Sequence, residues 1–245
     1  NSKQDGKSKV LLYAYGAYKH SISPSFSASR FCLVDRGITF AIAHIRGGGD
    51  LGDVWHQEGK KKLKKNTFLD YVACANHLVN QKYTYKGGIC FYGGSAGGLT
   101  GSAVANLSPD LFFSMLLLVP FVDIMTTMLN EKLPLTPGEW EMWGNPIKNK
   151  EDFKYILSYA PYNNLQKKDY PSMFITTSIF DNRVLYSEPV KYFAKLRDLK
   201  TDNNTQLLKC KMDAAGHGGM SGRDNAITEL AEEYSFILKS AKILK

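Results

Sequence analysis

The sequence predicts an α/β domain built on a mostly parallel, doubly wound sheet with helices on both faces. Apolar segments of strand length alternate with segments of helical periodicity, which is typical of βαβ units. The segment over residues 39–45 is almost continuously apolar, as strands buried on both faces of a parallel sheet are. A glycine-rich turn over residues 93–98 joins an apolar segment to a helix-compatible one.

Branched and aromatic residues mark the strands, and glycine and proline mark where elements stop. The predicted strands are residues 10–15, 39–45, 89–92, 115–119, 172–178 and 206–211. The predicted helices are residues 26–35, 66–81, 123–130, 150–158, 186–199 and 225–241, with one more directly after Ser95. Residues 133–146 contain Pro134, Pro137 and Pro146, and are predicted to be irregular. We expect one domain over residues 1–245, with residues 1–9 as a linker.

Composition excludes several classes of protein. The 245 residues are 44% hydrophobic, enough for a large core, yet no apolar run approaches the roughly 18 residues of a membrane span. The net charge of +8 is dispersed except over residues 60–65, so we expect a solvated segment and no nucleic-acid site. The polar N-terminus does not resemble a signal peptide, and the absence of an initiator Met leads us to expect a longer protein.

The four cysteines are far apart and show no C-x-x-C spacing. Three of them lie in apolar segments, as buried free thiols do. We therefore expect a reducing, cytoplasmic environment without disulfides. No cofactor and no metal site is expected.

Ser95 is flanked by Gly93 and Gly97 in a G-x-S-x-G pattern between a strand segment and a helix segment. This is the context of a nucleophile elbow, in which a sharp turn exposes a serine hydroxyl at the end of a strand. A dinucleotide-binding loop is disfavoured because the glycines lack G-x-G-x-x-G spacing and would leave Ser95 unexplained.

A serine nucleophile needs a base, and the base needs an orienting acid. In the α/β-hydrolase order of Ser, acid and His, only His217 follows Ser95, and it lies in a glycine-rich loop after the last strand. Asp181 directly follows a strand, where catalytic groups gather in open α/β sheets. Asp123, which resembles a helix cap, and Asp213, close to His217 in sequence, are the competing acids.

An oxyanion hole needs donors directed at the developing negative charge. The backbone N–H of Ala96, first in the helix after the elbow, is one candidate. The second should come from the loop after an early strand, and the hydroxyl of a tyrosine in residues 13–16 lies at such a place.

Five blocks in order resemble the catalytic domain of the prolyl oligopeptidase family: residues 13–16, 45–49, 93–98, 181–184 and 215–218. They span nearly the whole chain. Residues 120–123 and 136–146, the latter reading Thr-Pro-Gly-Glu-Trp-Glu-Met-Trp-Gly-Asn-Pro, are similar to the oligopeptidase B branch of that family.

The resemblance implies an α/β-hydrolase fold and cleavage of short peptides after Arg or Lys. It implies a Ser95, Asp181 and His217 triad, with the Tyr15 hydroxyl and the Ala96 N–H as oxyanion donors. Further implied roles concern the substrate, with Glu139 and Glu141 recognising a basic P1 side chain and Arg183 contacting the substrate backbone.

The chain also departs from the family pattern. Ala14 stands where a glycine is usual. Ser23 and Ser25 stand where some relatives carry aspartates associated with P2 preference, which weakens the expectation of paired basic residues. The family's N-terminal β-propeller is absent from this chain, and we expect it in the full-length protein.

The leading hypothesis is therefore a serine oligopeptidase that acts on short basic peptides through an acyl-enzyme. A second hypothesis keeps the triad for prolyl-type, acyl-peptide or ester hydrolysis. A third is a catalytically inactive fragment that serves as an interaction domain.

Overall fold

The computed structural model describes residues 4–243 and contains one six-stranded sheet in the order β2-β1-β3-β4-β5-β6. Every neighbouring pair of strands is parallel. The predicted parallel sheet is therefore confirmed. The strands are β1 (Lys9–Tyr13), β2 (Ile38–Ile42), β3 (Ile89–Gly94), β4 (Phe112–Leu118), β5 (Ser172–Ser178) and β6 (Gln206–Lys211).

Helices connect the strands, and short 3-10 turns occur at Ala28–Arg30, Lys61–Leu63 and Pro109–Leu111. The α-helices are α1 (Phe31–Val34), α2 (Asp53–Gln57), α3 (Lys65–Asn80), α4 (Ala96–Leu107), α5 (Ile124–Met128), α6 (Thr136–Trp143), α7 (Lys150–Leu157), α8 (Ser187–Leu199) and α9 (Arg223–Ser240).

The sheet separates two apolar layers because successive strand side chains point to opposite faces. In β1, Val10 and Leu12 join the larger layer, whereas Leu11 joins the smaller one. Helices α3, α4 and α8 contribute to the larger layer, and α1 and α9 to the smaller. The prediction of helices on both faces is confirmed.

The strand order reverses between β1 and β3. From β1 the chain passes outward to β2, returns to the other side of β1 as β3, and then continues in one direction to β6. Ligands of open α/β sheets bind outside the carboxyl ends of the strands at such a switch point. The loops after β1 and β3 hold Tyr15 and Ser95, so both residues lie at this point.

One sequence prediction is wrong in a way that affects the site. Residues 133–146 are not irregular throughout, since α6 occupies Thr136–Trp143. Pro137 is compatible with the helix because the first-turn N–H that it lacks would have no intrahelical partner. The helix expected over residues 26–35 is shorter, a 3-10 turn followed by α1, and α2 was not predicted.

The linker expected over residues 1–9 lies partly outside the described residues. Within the described part, the Gly6 N–H donates to the Lys82 carbonyl at 2.8 Å, and β1 begins at Lys9. Among the helices of residues 4–243, none is long and apolar enough to cross a membrane.

Candidate active site

Ser95 lies on a strained turn between β3 and α4. Its backbone has φ 54° and ψ −121°, in the region that residues other than glycine rarely adopt. Backbone hydrogen bonds hold the turn in place, because the Ser95 N–H donates to the Leu118 carbonyl at 2.8 Å and the Phe121 N–H donates to the Ser95 carbonyl at 3.0 Å. The strain is therefore imposed by the ends of two neighbouring strands, and it projects a single serine hydroxyl.

Two glycines after Ser95 are required by close packing. A Cβ on Gly97 would lie 2.9 Å from the Ala14 carbonyl oxygen, and a Cβ on Gly98 would lie 2.4 Å from the Pro120 Cβ. The first contact brings the loop after β1 against the start of α4. The glycine-rich sequence thus allows Tyr15 to approach Ser95, in addition to allowing the turn.

Asp181 and His217, which follow the adjacent strands β5 and β6, are joined by a hydrogen bond of 2.7 Å between His217 Nδ1 and Asp181 Oδ2. The Asp181 Oδ1 accepts the N–H groups of Arg183 at 2.9 Å and Val184 at 3.0 Å. Burial by itself raises the pKa of Asp181, but the hydrogen bonds from His217 and from these two N–H groups lower it below its ordinary value. Asp181 is therefore a carboxylate at neutral pH, fixed in orientation and bonded to the imidazole.

The competing acids lie elsewhere. Asp123, at the start of α5, is buried and forms an ion pair with Lys191 of α8. Asp213 is exposed, and its backbone carbonyl accepts the Ala215 N–H at 2.7 Å. The acid that the structure places against His217 is Asp181.

Tyr15 and Ala96 lie on either side of the serine. Burial raises the pKa of Tyr15, and the side chain of Ser95 beside it has an opposing effect. The phenol therefore keeps its proton and can donate it in a hydrogen bond. Ala96 is the first residue of α4 and is buried. Its N–H is one of the first-turn donors that have no partner within a helix.

Ser95 opens into a cavity of about 610 Å³. Its lining includes Tyr15 and Tyr18 from the loop after β1, Glu139 from α6 and Arg183 from the loop after β5. Apolar side chains from α5 and from the segment before α6 form much of the remaining wall. The cavity can therefore hold a long side chain with an apolar stem next to the serine.

Glu139 is the acidic group that the cavity presents beside Tyr18. Its Oε2 accepts hydrogen bonds from the Tyr18 hydroxyl at 2.8 Å and from Trp143 Nε1 at 2.7 Å. Within residues 4–243, its Oε1 accepts no hydrogen bond. Two neutral donors thus orient the carboxylate and leave one oxygen for a cation.

Glu141 does not line the cavity. It forms ion pairs with Lys60 at 3.2 Å and Lys61 at 2.9 Å, and its side chain is 74% exposed. Residues i and i+2 do not share a helix face, and α6 is a helix. The pair of carboxylates expected from the sequence is therefore divided between the cavity and the surface.

Glu188 of α8 is a second acid in the cavity wall. It accepts hydrogen bonds from the Asp123 N–H at 2.9 Å and the Thr127 hydroxyl at 2.5 Å. Burial raises its pKa to about 7, so its charge changes in the physiological range. The sequence pattern gave no sign of this residue, because a Glu in the first turn of an amphipathic helix is ordinarily a solvated acid.

The remaining predicted positions are also separated from the serine cavity. Ser23 and Ser25 line another cavity, of about 450 Å³, together with Tyr13, Tyr92 and Tyr234. Among residues 4–243, no group of three or more His, Cys, Asp or Glu side chains is arranged to hold a metal ion. All four cysteines are free.

A strand, a strained serine turn and a helix at the switch point of a parallel sheet define a serine hydrolase of the α/β-hydrolase fold. The family model described as the prolyl oligopeptidase family matches residues 24–243. The chain belongs to this family of serine peptidases.

Individual relatives agree with this assignment. The chain is 49% identical over 234 residues to Protease 2 of Moraxella lacunata, covering 96% of this chain and 34% of that protein. It is 47% identical to Dipeptidyl aminopeptidase BI of Pseudoxanthomonas mexicana, covering 96% and 32%. The structure of oligopeptidase B from Leishmania major superposes with a TM-score of 0.95 at 44% identity, covering 99% of this chain and 33% of that chain. The chain spans about a third of the length of these relatives.

Proposed function

We propose that the protein is a serine oligopeptidase that hydrolyses short peptides after Arg or Lys. The observation that carries the proposal is the Glu139 carboxylate, which is held by two neutral donors and has one oxygen open in the cavity that also contains Ser95. An Arg or Lys side chain could extend along the apolar wall and bring its charge to that oxygen. The overall charge of +8 does not oppose this, because the acid acts locally.

In the proposed mechanism, Ser95 Oγ attacks the scissile carbonyl carbon and its proton passes to Nε2 of His217. The Asp181 bond to Nδ1 supports this role, because it fixes the tautomer in which Nε2 is the free base. The imidazolium then protonates the leaving amine, and the C–N bond breaks to give an acyl-enzyme. Water, deprotonated by His217, attacks the ester, and the acid product and the Ser95 hydroxyl are released.

Negative charge develops on the carbonyl oxygen in both halves of the reaction. We assign the Tyr15 hydroxyl and the Ala96 N–H as its donors, supported by the raised pKa of Tyr15 and by the position of Ala96 at the start of α4. The exposed Arg183, which lines the cavity next to Asp181 in the chain, is suited to the carbonyl groups of the substrate backbone.

The full-length protein is proposed to carry an N-terminal β-propeller in addition to this catalytic domain. The relatives support this, since they are about three times as long as the matched region. The free cysteines favour a reducing compartment, and we propose the cytoplasm.

The test compares Glu139→Gln with Glu141→Gln in the full-length protein on fluorogenic Arg, Lys, Pro and Phe amides. Glu139→Gln should lower kcat/KM for the Arg substrate about 100-fold, because removing one partner of a charge pair that the bound substrate would bury costs on the order of 2–5 kcal/mol. Glu141→Gln, an exposed acid on the same helix, should change it by less than about twofold. Equal turnover of the Arg, Pro and Phe amides by the wild type would refute the specificity.

The nucleophile is tested separately by labelling with a fluorophosphonate, which should fail in Ser95→Ala. Labelling that survives this substitution would refute the assignment of Ser95. An unlabelled wild type would instead favour a catalytically inactive interaction domain. Preference for short acyl esters over Arg amides would favour an esterase or acyl-peptide hydrolase.

One relative favours a second candidate function, release of dipeptides from a free N-terminus, because it is named a dipeptidyl aminopeptidase. Paired substrates with free and acetylated N-termini separate the two functions. An oligopeptidase should cleave both, whereas an aminopeptidase should cleave only the free form.

A further inference from the structure

Lys64, immediately before α3, is a buried lysine to which the proposed mechanism gives no role. It is 0% exposed, and its Nζ donates to the Gly16 carbonyl at 2.6 Å. Within residues 4–243 no carboxylate pairs with it, and the aromatic rings of Trp143 and Phe68 lie 5.0 and 5.8 Å from its Nζ. Burying an ammonium group without a counter-charge is costly, and a lysine whose only purpose was packing would be replaced by an apolar residue at no loss.

The Gly16 carbonyl, which accepts the hydrogen bond from Lys64, belongs to the residue that follows Tyr15 in the chain. On the other side, the Thr100 hydroxyl of α4 donates to the Tyr15 carbonyl at 3.1 Å. Side-chain hydrogen bonds from Lys64 and Thr100 thus hold the two peptide groups that flank the Gly16 Cα. The direction of the Tyr15 side chain depends on both of them.

Close packing around Gly16 leaves little alternative support. Gly16 has φ +79°, and a Cβ there would lie 2.4 Å from the Thr67 side chain. A Cβ on Gly47 would lie 2.3 Å from the Gly16 carbonyl oxygen. The glycine block over residues 47–49 therefore lies against the loop that contains Tyr15 and Gly16. Lys64 supplies the side-chain hydrogen bond to the Gly16 carbonyl.

Lys64 also lies behind the wall that recognises the substrate. The ring of Trp143, 5.0 Å from its Nζ, donates from Nε1 to Glu139. One lysine therefore contacts both the loop that carries Tyr15 and the helix that carries Glu139.

We propose that Lys64 is a positioning residue that holds the Gly16 carbonyl and thereby sets the Tyr15 hydroxyl for stabilisation of the oxyanion. This proposal rests on the proposed peptidase function. Lys64 does not touch the substrate, so its loss affects the transition state more than substrate binding.

The test is a double-mutant cycle in the full-length protein that combines Lys64→Met with Tyr15→Phe. Loss of an oxyanion donor lowers kcat about 10²–10³-fold, and a displaced donor should cost less, about tenfold for Lys64→Met alone with KM within about twofold. If Lys64 acts through Tyr15, Lys64→Met should lower kcat by less than about twofold in the Tyr15→Phe background. Lys62→Met, an exposed lysine two residues away, is the matched control and should leave kcat unchanged.

Equal losses in the two backgrounds, an unchanged kcat, or a rise in KM alone would overturn the proposal. Lys64→Gln keeps a neutral donor on a side chain one atom shorter, and it should lose less kcat than Lys64→Met. If Lys64→Met does not fold, the cycle uses Lys64→Gln, and failure of both variants to fold overturns the proposal in favour of a structural role. Ser95→Ala distinguishes failure of the proposed peptidase function from failure of the Lys64 proposal. Peptidase turnover that survives Ser95→Ala refutes the peptidase mechanism. If Ser95→Ala abolishes turnover but the effects of Lys64→Met and Tyr15→Phe are additive, only the role of Lys64 is refuted.

Discussion

The burial of Lys64 predicts a specific dependence of stability on pH. Burial lowers the pKa of its amine from 10.5 to about 7, and no other group contributes to the shift. Below pH 7, both the folded and the unfolded protein bind the proton, and the cost of burying the charge is fully present. Between pH 7 and 10.5 the folded protein has released the proton while the unfolded chain retains it, so the wild type gains stability as the pH rises.

The magnitude follows from the two pKa values. Between pH 6 and pH 9, the free energy of unfolding of the wild type should rise by roughly 2.5 kcal/mol relative to Lys64→Met, at about 1.36 kcal/mol per unit of pKa difference. The comparison with the variant removes the titration of all other groups, because both proteins share them. The cost of burying the charged Lys64 is largest at pH 6, so Lys64→Met should be most stable relative to the wild type at that pH.

The assay is urea-induced unfolding of residues 1–245 at pH 6, 7, 8 and 9, followed by tryptophan fluorescence. Lys62→Met, at an exposed position, should give a stability curve parallel to that of the wild type across the range. If the wild-type and Lys64→Met curves are also parallel, Lys64 is ionised in the folded protein throughout, and the reasoning from burial is wrong.

Four further substitutions, one of them a control, test other parts of the protein. Gly47→Ala should lower the free energy of unfolding by about 3 kcal/mol or more, because a Cβ at φ +98° would meet a backbone oxygen at 2.3 Å. Gly138→Ala, a helical position with no atom within 4 Å, should be neutral or stabilising by about 0.5–1 kcal/mol, and equal thermal shifts in the two variants would contradict this account. Asp181→Asn should lower kcat about 10⁴-fold with little change in KM, since the amide favours the wrong tautomer of the His217 imidazole. A loss below tenfold would rule out Asp181 as the acid that orients His217. Between pH 5 and pH 8, the free energy of unfolding of Glu188→Gln should rise by about 2.5 kcal/mol relative to that of the wild type, because a carboxyl pKa raised to about 7 destabilises the folded wild type as the pH rises. A pH-independent difference in urea unfolding would show that the pKa of Glu188 is not raised in the folded protein.

The parallel sheet and the turn at Ser95 could be predicted because local sequence specifies them. Residues 172–178 and 206–211 each contain a short apolar core of strand length, and the structure has strands with the same bounds. The strained turn at Ser95 requires glycines in fixed places, so the sequence itself records it. The strand segments depend on a few neighbours in the chain, whereas the glycines after Ser95 are the local sign of tertiary contacts with Ala14 and Pro120.

The wall of the cavity could not be predicted in the same way. Three prolines made residues 133–146 look irregular, yet Pro137 is compatible with the first turn of α6. That helix decides which acid faces the cavity, since Glu139 and Glu141 would share a direction only in another conformation. The direction of a side chain depends on secondary structure, and a short helix with little periodicity gives a weak signal.

Lys64 was hidden for a different reason. It lies in a run of lysines over residues 60–65, where charge patterning favours solvated side chains. Its neighbour Lys61 is indeed 42% exposed and pairs with the exposed Glu141. The Lys64 Nζ instead donates inward to the carbonyl of Gly16, a residue far away in the chain, so the local sequence does not indicate this contact. An apolar side chain would suit that environment better, so folding alone does not account for the lysine. Conflicts between local preference and the observed structure concentrate at functional sites, and this one lies beside the tyrosine that we assign to the oxyanion.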